Sequence, residues 1–302
     1  MPRSQQNELL QNRRPAPATL SRIGVVAHPT RPIERALLGI REWAEQHGAD
    51  VVQVPAFCRQ KQVAEPGDPG DCGLIVAIGG DGTTLAAIHA GIETGRPVLG
   101  VACGSLGVLT SVSPSEVPRA LERFSAGDWS PRSLPALEGV HDGREQMLAV
   151  NDIVVVRRGE GQIRLQVLVD SMLYARLAGD GCVVSTPLGS SAYGLSAGGP
   201  LLAPGTDAFA FTPLYAHGGV CPPLVVASGS ELQILTNPGY GGVRLEVDGR
   251  PLDTQAEDLI VRLRPAVATV VGYDDQEQFV AGLRRRQIIA DSPRFLAEDA
   301  QG

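Results

Sequence analysis

Two hydrophobic spacings alternate along the first half of the chain. Arg22 to Ala27 (RIGVVA) is a short apolar run that reads as a strand, whereas Ile33, Leu37, Ile40 and Ala44 recur at helical spacing within Ile33 to Gln46 and stop at Gly48. Val51 to Val54 predicts a second strand. A linker from Pro55 to Cys72, punctuated by Pro66, Gly67, Pro69 and Gly70, leads into Leu74 to Ile78, which has no polar interruption. Such a run is expected of a parallel strand covered on both faces. A helix through His89, a strand from Pro97 to Val101 and a helix from Glu116 to Phe124 follow. Strands alternating with helices over roughly one hundred residues imply an α/β N-terminal domain, doubly wound and Rossmann-like, with ligand sites at the carboxyl ends of its strands.

After Trp129 the pattern switches to strand-like segments separated by turns. Met147 to Arg157, Ile163 to Asp170, Glu231 to Thr236, Val243 to Val247 and Leu259 to Leu263 are examples, with Asp142-Gly143 and Asp248-Gly249 as hairpin turns. This half is predicted as a β-rich C-terminal domain. Gly189 to Leu195 is an exception, because its small residues can start a helix. Ala281 to Ala300 is helical or irregular, and its Arg284-Arg285-Arg286 run reads as a solvated face. The resulting division is a mobile N-terminal arm over 1–20, the α/β domain over 21–128, the β-rich domain over 129–278, and a C-terminal segment over 279–302 packing back on the N-terminal domain.

Composition narrows the class. With 302 residues, 43% of them hydrophobic and 20% charged, the chain can fill two domain cores. A net charge of −7 argues against coating nucleic acid or an anionic membrane. No apolar run reaches the roughly 18 residues a membrane helix needs, and the first stretch lacks the apolar core of a signal peptide. Cys58, Cys72, Cys103, Cys182 and Cys221 are scattered singly with no C-x-x-C pair. Neither a disulfide framework nor a zinc knuckle is indicated, and a reducing cytoplasm fits.

Candidate chemistry concentrates in a few places. The apolar run Leu74 to Ile78 ends in Gly79-Gly80-Asp81-Gly82-Thr83-Thr84. Those glycines let the backbone turn sharply and approach a ligand, and the threonines can open a helix whose N–H groups favour phosphate. Asp81 would repel phosphate unless it accepts a proton from an attacking hydroxyl or works with a bound cation. The alternative is an Asp-Gly turn with Asp81 as a cap. Gly179 to Tyr193, continuing to Pro200, gathers hydroxyls, glycines, Asp180 and one phenol ring, which suits a site for sugar hydroxyls and an aromatic base; otherwise it is a Gly/Ser-rich loop. Asn151-Asp152 lie in an apolar β run, where burial is costly without hydrogen bonds, so they reach a ligand's ribose or begin the strand at a turn. His217 carries little weight alone. No G-x-x-x-x-G-K-[ST], G-x-G-x-x-G after a strand, H-E-x-x-H or G-x-S-x-G is present, which removes the main support for P-loop, dehydrogenase, zincin and hydrolase readings.

Taken together, Gly79-Gly80-Asp81-Gly82-Thr83, Asn151-Asp152, and Gly179-Asp180-Gly181 followed by Ser185-Thr186-Pro187 and Gly189-Ser190-Ser191-Ala192-Tyr193 resemble the NAD kinase family in order and spacing. The resemblance runs from about Gly24 to the region of Tyr273. That family transfers a phosphoryl group, usually from ATP or polyphosphate, to the 2′-hydroxyl of NAD's adenosine ribose. The resemblance implies that Asp81 is the catalytic base and that Gly79, Gly80, Gly82 and Thr83 accommodate donor phosphates. It implies that Asn151 and Asp152, matching an Asn-Glu pair, hold dinucleotide hydroxyls and amides. Asp180, Ser191, Ala192 and Tyr193 would bind the base and nicotinamide ends, partly across a subunit interface, with His217 near the phosphates. Mg²⁺ or another divalent cation would come with the donor, NAD would be the substrate, and the assembly would be a homodimer or homotetramer. The partners implied are small-molecule nucleotides, with no nucleic acid and no membrane.

Three departures bear on the acceptor. Ala102 stands where the family commonly has Asn, Leu188 replaces a hydroxyl, and Pro222, in the stretch after His217, takes the place of an arginine. A lost hydrogen bond in a polar pocket shifts discrimination by orders of magnitude. A different nucleoside or small metabolite as acceptor, or a non-catalytic NAD(P) sensor, are the alternatives.

Overall fold

The computed structural model describes residues 14–105, 107–143, 145–252, 257–274, 279–293 and 295. The chain up to Arg132, together with residues from Ala268 onward, forms one unit, and Ser133–Val267 forms a second.

In the first unit β1 (Arg22–Ala27), β2 (Asp50–Gln53), β3 (Leu74–Gly79) and β4 (Val98–Ala102) lie parallel in the order β2-β1-β3-β4. Every residue of β3 is buried, as its uninterrupted apolar run requires. Alternation sorts the side chains between two faces. Leu74, Val76 and Ile78 join Ile23, Val25, Leu99 and Val101 in one cluster with Ile33, Ile40 and Trp43 of the α1 region (α1, Glu34–His47) and with Leu121 and Phe124 of α3 (Val117–Ser125). The other face meets α2 (Asp81–Ile92), where Gly91 lies against Ile75 and Val98. Helices on both faces make the layer doubly wound, as expected. Each fully buried Leu, Ile or Val contributes about 1.5–3 kcal/mol by leaving water.

The second unit is built from antiparallel strands. β7 (Asp152–Arg157), β10 (Gly181–Ser185), β11 (Ala208–Leu214), β12 (Leu224–Ala227), β14 (Val243–Val247) and β15 (Arg250–Leu252) form a sheet in the order β12-β11-β10-β7-β14-β15. β8 (Ile163–Val169) pairs with β9 (Met172–Gly179) and β13 (Leu232–Asn237), and β13 pairs with Asp258–Val261 of the long β16 (Asp258–Gly272). Inward residues of both groups, including Ile153, Val155, Val184, Phe209 and Phe211 with Leu165, Val167, Ile234 and Leu259, share one core. β5 (Ser130–His141) and β6 (Glu145–Ala149) form a further hairpin.

Several sequence expectations shift. Helix α2 begins at Asp81 rather than at Thr83, with Gly80 as the residue before it, so Asp81 occupies the first helical position. Met147 to Arg157 is not one strand; it breaks at Val150-Asn151, whose amides go to the Asp248 carboxylate. Strands β9, β11 and β12 have no counterpart among the expected elements, and β9 and β12 carry few buried side chains to mark them. Both Asp-Gly turns are present: Asp142 (φ 48) with Gly143 (φ 66), and Asp248 (φ 51) with Gly249 (φ 73). Positive φ at both positions matches the right-handed twist of a hairpin. The expected arm lies partly outside the described residues, but its end from Arg14 is held down. Arg14 pairs with Asp128 and Asp274, Ala18 N–H donates to Ser125 O, and Leu20 is buried. The five cysteines are free, and no helix among the described residues is long and apolar enough to cross a membrane.

Candidate active site

In the first unit the site is made where β3 ends. Gly79 permits the turn: a Cβ there would stand 2.3 Å from Thr83 Oγ1 and 2.7 Å from Thr83 Cβ, so the first turn of α2 folds back directly over it. Thr84 closes that turn, its hydroxyl donating to Gly80 O at 3.0 Å. Thr83 is buried, Gly82 is exposed, and the Asp81 side chain is 41% exposed.

The Asp81 carboxylate does not cap its own helix. Its two oxygens accept backbone N–H groups from the segment after β4: Val108 N to Oδ2 at 2.9 Å and Leu109 N to Oδ1 at 2.9 Å. Gly107 makes the approach possible, since a Cβ at that position would lie 1.9 Å from Oδ1. The plain Asp-Gly cap is thereby replaced by a carboxylate clamped in a set orientation. Two guanidiniums flank the loop. Arg31 Nη1 donates to Cys103 O at 3.2 Å and to Gly79 O at 3.5 Å. Arg286 Nη1 lies 3.9 Å from Asp81 Oδ2 with its side chain only 18% exposed, so the Arg284–Arg286 run is not wholly the solvated face expected of it. His28 Nδ1 accepts from Thr30 and Arg31 N–H groups, and burial together with Arg31 holds its imidazole below the usual value. Ala102 ends β4 directly beside Gly79 in the register.

In the second unit Asn151 precedes β7 and Asp152 starts it, so this pair begins the strand at a turn. The turn is built by Asp248. Its Oδ2 accepts Val150 N–H at 2.8 Å, and its Oδ1 accepts Asn151 N–H at 2.7 Å and Asp152 N–H at 3.0 Å. Three amides gathered on one carboxylate cannot also serve a sheet ladder, which is why the predicted strand breaks. Asp152 is itself 5% exposed, and burial, then Asp248 and Glu246, push its carboxyl up to about 7.

The Gly/Ser-rich loop docks on this turn. Thr186 N–H donates to Asn151 O at 2.9 Å and its hydroxyl to Val150 O at 2.7 Å. Ser190 is buried, donating to Pro187 O and accepting from Leu202 N–H. Ser191 donates to Leu188 O at 3.0 Å, and Ala192 and Tyr193 are exposed at the start of the short helix α4 (Tyr193–Ser196). Asp180 and His217 are elsewhere. Asp180 precedes β10 and accepts from Arg157 Nε at 2.7 Å, while His217 N–H donates to Ala178 O at 2.7 Å. In the β7–β10 register Ser185 faces Asp152 and Gly181 faces Val156. Asp180, opposite Arg157, is therefore five residues or about 17 Å along the strand from Asp152, a span suited to an extended ligand and not to a single contact point. Pro222 is exposed, and its carbonyl accepts the Tyr174 hydroxyl.

Sequence reasoning missed Arg31, Asp248, Arg286 and the amides of Val108 and Leu109. Asp248 was visible only as half of a hairpin signal. The others have no local signal, because their partners are 27 or more residues away.

Two family models match the chain in sequence order. The ATP-NAD kinase N-terminal domain matches residues 23–129, and the ATP-NAD kinase C-terminal domain matches residues 150–268. The NAD kinase of Moorella thermoacetica is 34% identical over 241 residues, covering 76% of this chain and 77% of that protein. The NAD kinase of Chlorobium phaeobacteroides is 31% identical over 269 residues, covering 85% and 93%. Among solved structures, yeast NADH kinase complexed with NADH has the same fold, with a TM-score of 0.75, 22% identity, and coverage of 91% of this chain and 89% of that one. With both family domains matched in sequence order and relatives aligned over most of its length, the chain belongs to the NAD kinase family.

Proposed function

We propose that Asp81 is the base in transfer of a phosphoryl group from ATP to the 2′-hydroxyl of the adenosine ribose of NAD, the reaction that forms NADP. The observation that carries this reading is the clamped Asp81 carboxylate at the first position of α2. Each of its oxygens accepts one amide, and a carboxylate offers about four lone-pair sites, so capacity for a proton remains. The hydroxyl proton passes to Asp81 as the ribose oxygen bonds to the terminal phosphorus, and the bond to the bridging oxygen of the leaving ADP breaks. Because the clamp fixes the carboxylate beforehand, little reorganisation is needed in the transition state.

Gly79, Gly80, Gly82 and Thr83 receive the donor phosphates at the positive end of α2. Asn151, Asp152, Ser191, Ala192 and Tyr193 hold the dinucleotide, and Asp180 and His217 serve its more distant end. A divalent cation fits as a companion of the donor, since no cluster of three or more metal-ligating side chains occurs among the described residues and Asp81 is the carboxylate beside the loop. When bound, Mg²⁺ neutralises triphosphate charge that would otherwise oppose Asp81. The free cysteines accord with a cytoplasmic enzyme, and a homo-oligomer accords with the family.

Asp81→Asn keeps the side chain's size and removes the base. NADP formation is expected to fall by about 10²- to 10⁴-fold, while calorimetry still records ATP and NAD binding. Unchanged turnover in that variant overturns the assignment.

A further inference from the structure

Arg286 stands out because the C-terminal segment brings it back to the loop that ends β3. It directly follows α5 (Phe279–Arg285), which is anchored by the fully buried Leu283. Arg286 Nε donates to Gly282 O at 2.9 Å, which fixes the plane of the guanidinium. Nη1 is 3.9 Å from Asp81 Oδ2, within ion-pair range but beyond hydrogen-bond distance, and among the described residues no acceptor engages its Nη donors. A half-made contact in a largely covered position is a poor stabiliser, since desolvating the guanidinium has a cost that a loose pair does not return.

Arg31 also reaches this loop: its Nη1 would stand 3.0 Å from a Cβ at Gly80 and 2.8 Å from one at Gly104. Two guanidiniums thus border a glycine-rich turn at a helix start, while the local carboxylate is held by backbone amides and not by either of them at hydrogen-bond distance. The planar fork of arginine matches phosphate oxygens two at a time.

We propose that Arg286 and Arg31 form a clamp for the terminal phosphates of the donor, with Arg286 exchanging its loose pair with Asp81 for phosphate when the donor binds. This rests on the kinase reading above and adds the residues that select a triphosphate. The exchange leaves the Asp81 oxygen that faced Arg286 open to the acceptor hydroxyl. It also couples the C-terminal segment to donor binding.

The test is calorimetric titration of the full chain with Mg·ATP, AMP and NAD, each separately, in the unmodified protein and in Arg286→Gln, Arg286→Lys and Arg31→Gln. The ATP Kd is expected to rise by about 10- to 100-fold in the glutamine variants and less in Arg286→Lys, whereas AMP and NAD are little changed, because AMP lacks the terminal phosphates. An unaltered ATP Kd, or an equal loss of NAD or AMP binding, overturns the clamp. If Arg286→Gln does not fold, judged by its melting curve, Arg286→Lys and Arg31→Gln carry the same comparison. Binding is measured without turnover, so failure of the unmodified chain to make NADP counts against the reaction and not against the clamp.

Discussion

Replacing Asp152 with asparagine isolates a buried carboxyl in the second unit. The carboxyl is 5% exposed, and burial with the neighbouring Asp248 and Glu246 raises it from 3.8 to about 7. A raised value means that the folded chain holds this proton more tightly than the unfolded chain does. The resulting stabilisation is complete below about pH 4 and is lost as pH rises through about 7. A gap of roughly three units corresponds to about 4 kcal/mol at about 1.4 kcal/mol per unit, an upper bound for one group. The Asp152→Asn change keeps the side chain's shape and the backbone N–H to Asp248 while removing the ionisation. Urea unfolding of both proteins at pH 4.5, 6, 7 and 8.5 measures the difference, on the order of the range over which the group titrates. The unmodified chain is expected to lose stability relative to Asp152→Asn as pH rises, the gap approaching a few kcal/mol by the most alkaline point. Parallel stability curves across that range would refute the account of Asp152 as a buried acid that ionises at the expense of the fold.

Other perturbations test single contacts. Gly107→Ala puts a Cβ 1.9 Å from Asp81 Oδ1, so the carboxylate must leave its two amides; kcat for NADP formation is expected to fall by about 10²-fold or more with the melting temperature changed by only a few degrees. Asp248→Asn turns an acceptor of three amides into one oxygen and one NH₂ donor, and a donor then faces a donor. Urea unfolding at neutral pH is expected to show a loss of about 2–4 kcal/mol, with the NAD KM rising as the Asn151-Asp152 turn loosens.

How far the chain could be read from its residues follows from how local each signal is. The α/β layer was legible because β1, β3 and α1 declare themselves within a few turns of chain: an apolar run for a buried strand, a period of 3.6 for a one-sided helix. The two Asp-Gly hairpins were legible for the same reason, since positive φ at two successive residues is a demand that a dipeptide meets. Much less showed in β9 and β12, whose side chains are largely exposed and so leave little alternation to count. Met147 to Arg157 looked like one strand because nothing within it announces a carboxylate roughly one hundred residues ahead that claims three of its amides.

The sequence by itself determined that the GGDG loop ends a buried strand, and motif order placed the chain with the kinases that carry it. Only the tertiary structure decided the state of that loop. Asp81 could as well have capped its own helix until the amides of Val108 and Leu109 were seen on its oxygens. Arg286 read as surface charge until the C-terminal segment brought it to 3.9 Å from that carboxylate. The physical reason is the same in each case. Backbone propensities act over a few residues and are written in the local sequence, whereas the partners of a buried charge are set by where distant segments are packed.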